Sequence, residues 1–132
     1  MKKIIFALMI TGLSLFAQMT NQYPTKELLK KNIPIVDIRT KGEWKETGIL
    51  QGAIPITFWD AKGHYDAHKF LNKLNKKVDT TKPFALICHT GSRTSVVAPW
   101  LSKKFGYKVI NLQGGMEYVI NALHIKTVSY KK

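Results

Sequence analysis

Residues 83–94 read Pro83-Phe84-Ala85-Leu86-Ile87-Cys88-His89-Thr90-Gly91-Ser92-Arg93-Thr94. Four apolar residues in a row, bounded by a proline and a cysteine, predict a short strand buried on both faces, as in a parallel sheet. A helix is expected next, from about Ser95 to Phe105, with Val96, Val97, Trp100 and Leu101 as its apolar stripe. Gly106 is its expected stop, and Pro99 predicts a kink or a displaced start.

The same rhythm continues on either side. Pro24–Lys31 predicts a short helix with Pro24 at its first position, and Ile35–Ile38 a buried strand opening to solvent at Asp37–Arg39. Thr40 and Glu43 have capping-box spacing before an inward-facing Trp44, and Gly48 closes that turn. Residues 52–56 predict a second, irregular edge strand because they contain Pro55. His64–Lys77 predicts a surface helix through Phe70, Leu71 and Leu74. Tyr107–Leu112 is a further strand, and Gly114-Gly115 leads into a last helix from Met116 to about Leu123. Short strands alternating with helices define an α/β domain: a central parallel sheet with helices on both faces.

Composition narrows the function. One cysteine among 132 residues excludes an internal disulfide scaffold and an all-cysteine metal site. The net charge of +13 attracts anions at long range, but the lysines are scattered and form no aromatic-interleaved stripe. No nucleic-acid partner is expected, and a monomer is. Residues 1–17, MKKIIFALMITGLSLFA, have the layout of a secretory signal peptide: Lys2 and Lys3, an apolar run, then the small Ala17. The apolar run is shorter than the roughly 20 residues of a membrane span. The expectation is a periplasmic or otherwise exported protein with a domain over residues 18–125 and a loose basic tail over 126–132. Cleavage after Ala17 removes Lys2 and Lys3 and lowers the net charge from +13 to +11.

Cys88 sits where open α/β sheets place their chemistry, beyond the C-terminal end of a strand. The loop from His89 through Thr90, Gly91, Ser92 and Arg93 to Thr94 can turn its N–H groups inward as an anion nest, and the following helix adds its positive end. Both favour a thiolate. Gly91 permits a tight loop, and Arg93 can fork onto an oxyanion or onto flanking carboxylates.

On these residues the chain resembles the rhodanese family of sulfurtransferases. The resemblance runs from about Tyr23 to Ala122. It rests on Cys88-x-x-Gly91-x-Arg93, on Val36-Asp37-Ile38-Arg39 followed by Glu43-Trp44, on Gly52-Ala53-Ile54, and on Leu112-Gln113-Gly114-Gly115. It implies a rhodanese-like three-layer fold and transfer of sulfane sulfur from thiosulfate or polysulfide, through a Cys88 persulfide, to a thiol, cyanide or a protein acceptor. It implies no metal and no organic cofactor. Departures are Ile49 where the family often has a histidine, Tyr118 or Val119 in place of a tryptophan, and a first strand that is short or missing. Cysteine phosphatases resemble a pattern one residue longer between cysteine and arginine, so the four-residue spacing here favours a persulfide over a phosphocysteine. A non-turnover sulfur carrier, and less so a phosphatase or arsenate reductase, are the alternatives.

Asp37 and Arg39 are expected to brace the active loop through hydrogen bonds. His89 is expected at the loop rim. His64 and His68, at i,i+4 spacing, have no third ligand to complete a metal site. Asp60 and Asp66 are expected to be solvated surface charges.

Overall fold

The computed structural model describes residues 19–131. The expected signal segment and Lys132 lie outside the described residues. Five strands form one all-parallel sheet: β1 Met19–Gln22, β2 Ile35–Asp37, β3 Ile54–Pro55, β4 Phe84–Ile87 and β5 Val109–Leu112, in the order β1-β5-β4-β2-β3. The helices are α1 Lys26–Lys30, α2 Lys41–Thr47, α3 Ala67–Lys77, α4 Thr94–Phe105 and the single turn α5 Gly115–Glu117, which passes into a wider π-helical turn over Tyr118–Ala122.

β4 is the middle strand, and its side chains divide the core. Phe84, Leu86 and Cys88 face the cluster containing Phe70 and Leu74 of α3 and Val97 and Leu101 of α4. Ala85 and Ile87 face Leu50, Met116 and Val119, with Leu28 and Leu29 of α1 packed against them. Helices therefore cover both faces, the expected three-layer α/β architecture. Fully burying Phe84, Leu86 and Ile87 contributes about 1.5–3 kcal/mol each. That is why these few residues suffice to hold the strand in the centre.

Several expectations need correction. The first strand is not missing but short, four residues. Met19–Gln22 is polar and largely exposed, so no apolar pattern announces it; it is held by backbone pairing to β5, in register from Met19 with Val109 to Gln22 with Leu112, and by Asn111 Nδ2 donating to Asn21 Oδ1 at 2.9 Å. α1 starts after its N-cap Thr25, so Pro24 precedes the helix. α3 starts after its N-cap Asp66, which leaves His64 in a turn and removes the helical spacing between His64 and His68. α4 begins at Thr94 and runs through Pro99, so its start is not displaced; it buries Thr94, Val97, Ala98 and Leu101 and turns Val96 outward.

The tail is docked. Ile49 and Val128 exchange backbone hydrogen bonds at 2.9 and 2.8 Å, Thr127 Oγ1 donates to the Thr47 carbonyl at 2.7 Å, and the Tyr130 ring lies 5.1 Å from that of Trp44. The basic composition of this segment hides Thr127, Val128 and Tyr130, which make the contacts. Ile49, at the place of the absent histidine, serves here through its backbone.

Candidate active site

The loop grows out of β4 with its direction already fixed. Ile38 N–H donates to the Ile87 carbonyl at 3.0 Å. Beyond the strand, Met116 N–H donates to the Cys88 carbonyl at 2.8 Å and Glu117 N–H to the His89 carbonyl at 3.0 Å. The start of α5 thus holds these two carbonyls away from the sulfur. That contact needs glycine at 115: a Cβ there would lie 2.5 Å from both carbonyl oxygens, at a φ of +61°.

Cys88 is fully buried beneath the loop. Gly91, at φ +98°, donates its N–H to Cys88 Sγ at 3.2 Å. The buried Thr94 hydroxyl lies 3.6 Å from Sγ and 3.3 Å from the Gly91 carbonyl. Among the described residues, none accepts a hydrogen bond from the N–H of Thr90, Ser92, Arg93 or Thr94. Of the nest expected from the sequence, one N–H therefore reaches the resting sulfur, and other loop donors remain unpartnered. His89, Thr90 and Ser92 form the exposed rim.

Arg93 is held from α2. Its two terminal nitrogens donate to Glu43 Oε1 and Oε2, each at 2.7 Å, in a bidentate pair. Glu43 also completes the capping box, accepting from Thr40 N–H at 3.1 Å. The Arg93 hydrogen bonds are the main reason that the Glu43 carboxyl is held at about 2, below its ordinary 4.5. The capping-box spacing marks Glu43 as a local helix residue only; its grip on the active loop, fifty positions along the chain, has no local sequence signal.

Asp37 and Arg39 correct another expectation. They form a fully buried pair, Arg39 donating from Nε at 3.0 Å and from a terminal nitrogen at 2.8 Å. Arg39 also reaches Thr47 Oγ1 at 2.7 Å and the Gly48 carbonyl at 2.8 Å. Neither residue hydrogen-bonds the 89–94 loop among the described residues. They secure the far end of α2, and α2 in turn holds Arg93.

Two open grooves flank the loop. One, of about 390 Å³, is lined by Trp59, Asp60, Ala61, Gly63, Ser92, Arg93 and Val96. The other, of about 440 Å³, includes Tyr23, Thr90, Glu117 and Tyr118. Neither wall was anticipated, because they come from segments remote in sequence. Asp60 accepts from the N–H groups of Lys62 and His64, each at 2.9 Å, and Asp66 caps α3. His64 Nδ1 lies 3.9 Å from Asp60.

A lone cysteine at the end of the middle parallel strand, enclosed by a loop that runs into a helix, defines an α/β domain built around a cysteine loop. The chain belongs to the rhodanese-like domain family, whose family model matches residues 21–122. An uncharacterised protein of Rickettsia prowazekii is 32% identical over 94 residues, covering 68% of this chain and 74% of that one. A rhodanese-like domain protein of Staphylococcus aureus is 26% identical, with a TM-score of 0.52 over 70% of this chain and 78% of that one. A protein of M. tuberculosis shares the fold at 20% identity, with a TM-score of 0.56 over 68% of this chain and 71% of that one.

Proposed function

We infer that the chain is a sulfurtransferase that carries sulfane sulfur as a Cys88 persulfide. The observation that carries this reading is the environment of Sγ: Gly91 N–H at 3.2 Å, with loop N–H groups beyond it that have no partner among the described residues. A second sulfur bonded to Sγ would carry negative charge beside a loop that already aims one N–H at Sγ and keeps others free to donate. Preorganised donors at the site of developing charge are the main electrostatic device of such catalysis.

The Cys88 thiolate attacks the outer sulfur of the donor. A new S–S bond forms, the donor's own sulfur–sulfur bond breaks, and its electron pair leaves with sulfite, or with the shortened chain of a polysulfide. A nucleophilic acceptor then attacks the outer sulfur of the persulfide and returns Cys88 as thiolate. No base is required once the thiolate exists. Arg93 braces the loop, each of its terminal nitrogens donating to Glu43, whose carboxylate offsets its charge.

The reading places the protein in an exported compartment, on the strength of Lys2, Lys3 and the apolar run before Ala17. Steady-state kinetics with a sulfane donor and cyanide test the reading. Ping-pong patterns are expected, with no turnover in Cys88→Ser. A wild-type protein that turns over no donor would remove the enzyme, and labile sulfur on Cys88 without turnover would identify a carrier.

A further inference from the structure

The chain is strongly basic, yet among the described residues the mouth of its cysteine loop offers no free cation. Arg39 and Arg93 are the only arginines in the sequence, and each is paired with a carboxylate. Among the described residues, no lysine lines either groove beside the loop. Lys62 belongs to the turn that forms one wall but does not line the groove. The charged side chains that complete the walls are acidic, Asp60 on one side and Glu117 on the other. Hydrogen bonds from the turn, chiefly from His64 N–H, hold the Asp60 carboxyl below its ordinary range, so it is ionised at neutral pH. A dianion such as thiosulfate therefore meets a neutralised arginine and a fixed negative charge at the last step of its approach. The long-range field of the lysines can hasten encounter, but it supplies no contact at the loop.

Apolar surface is present instead. Val96, on the first turn of α4, is 59% exposed beside Ser92 and Arg93, and it shares the groove with Trp59, Ala61 and Gly63. Tyr65, 61% exposed, extends this surface, its ring 6.3 Å from that of Trp59. An exposed valine beside a partly buried tryptophan at the lip of a cysteine loop makes a seat for an aryl or alkyl group whose sulfur points at Cys88.

We propose that the Trp59–Val96 groove selects sulfane-sulfur donors by an apolar substituent, so that an organic thiosulfonate or persulfide of low charge is a better donor than thiosulfate. This rests on the Cys88 persulfide reading above. With benzenethiosulfonate the step balances as follows. The Cys88 thiolate bonds to the terminal sulfur, the bond from that sulfur to the sulfonyl sulfur breaks, and benzenesulfinate departs with the electron pair. Thiosulfate reacts identically except that sulfite departs, so the two donors differ in the ring and in one unit of charge.

The test compares kcat/KM for benzenethiosulfonate and thiosulfate, with cyanide as acceptor and thiocyanate as readout. A preference of about tenfold or more for the aryl donor is expected, the scale on which an apolar pocket discriminates. Val96→Lys places a cation at the lip, and Val96→Ser removes the apolar contact. Val96 is exposed, so folding is not at risk in either variant. In both variants the ratio of the two kcat/KM values should fall, mainly through KM for the aryl donor, and further in Val96→Lys. Equal or better use of thiosulfate by the wild-type protein would overturn the proposal while leaving the persulfide reading intact. A ratio unmoved in both variants would overturn the assignment of the groove. Failure of every donor to place sulfur on Cys88 would remove the persulfide reading and this proposal together.

Discussion

Replacing Glu43 with glutamine tests how the loop is held. Glutamine preserves the capping-box geometry toward Thr40. It replaces the charged bidentate partner of Arg93 with a neutral amide that offers one acceptor oxygen. The side chains of Arg93 and Glu43 are 26% and 27% exposed, so the pair lies between two regimes. Exposed pairs contribute about 0–1 kcal/mol, whereas breaking a buried pair costs about 3–5. A loss of about 1–2 kcal/mol in urea unfolding is expected, after discounting for solvent screening. The transfer rate should fall as well, by about tenfold, because loop donors must be in place before charge develops. The pH dependence has a definite sign. Glu43 is depressed in the folded state, so its contribution is fully present above its ordinary 4.5 and is lost as pH falls toward about 2. In Glu43→Gln that part of the acid destabilisation should disappear. A double-mutant cycle with Arg93→Ala completes the assay, with an expected coupling of about 1–2 kcal/mol. Additive effects of the two substitutions on both stability and rate would refute the clamp.

Three further outcomes follow from the geometry. Gly115→Ala puts a Cβ 2.5 Å from the Cys88 and His89 carbonyl oxygens at positive φ, so it should cost about 1–3 kcal/mol in thermal or urea unfolding and reduce transfer. Arg39→Ala strands the buried Asp37 carboxylate and should cost about 3–5 kcal/mol; a loss below about 1 kcal/mol would contradict the buried network. A chain ending at Lys126 loses the Val128 pairing and the Tyr130 contact with Trp44; a drop of about 1–2 kcal/mol is expected by calorimetry, and an unchanged melting temperature would show that the tail contributes nothing.

The parts legible in the sequence were those whose signal is local. Phe84–Ile87 is continuous and apolar, so it had to be buried on both faces, and Cys88 follows it directly. Thr40 and Glu43 announce a helix start by spacing alone. What escaped was set by partners far along the chain. β1 is polar and gains its place from backbone pairing with β5, which no side-chain pattern reports. The Asp37–Arg39 spacing puts both residues at a strand end, but whether they are buried, and against what, depends on where α2 packs. The grip of Glu43 on Arg93 and the meeting of Trp59 with Val96 are likewise products of the assembled fold. The chemistry proposed for Cys88 came from the family resemblance, whereas the pairing of Arg93 with Glu43 is visible only in the structure.

Intact mass spectrometry of the reduced protein after exposure to a sulfane-sulfur donor tests the central claim most directly. The account predicts a gain of about 32 Da, one sulfur atom, that is reversed by cyanide and absent in Cys88→Ser. An unchanged mass with thiosulfate, polysulfide and benzenethiosulfonate alike, on protein whose Cys88 is shown to be reduced, would contradict it.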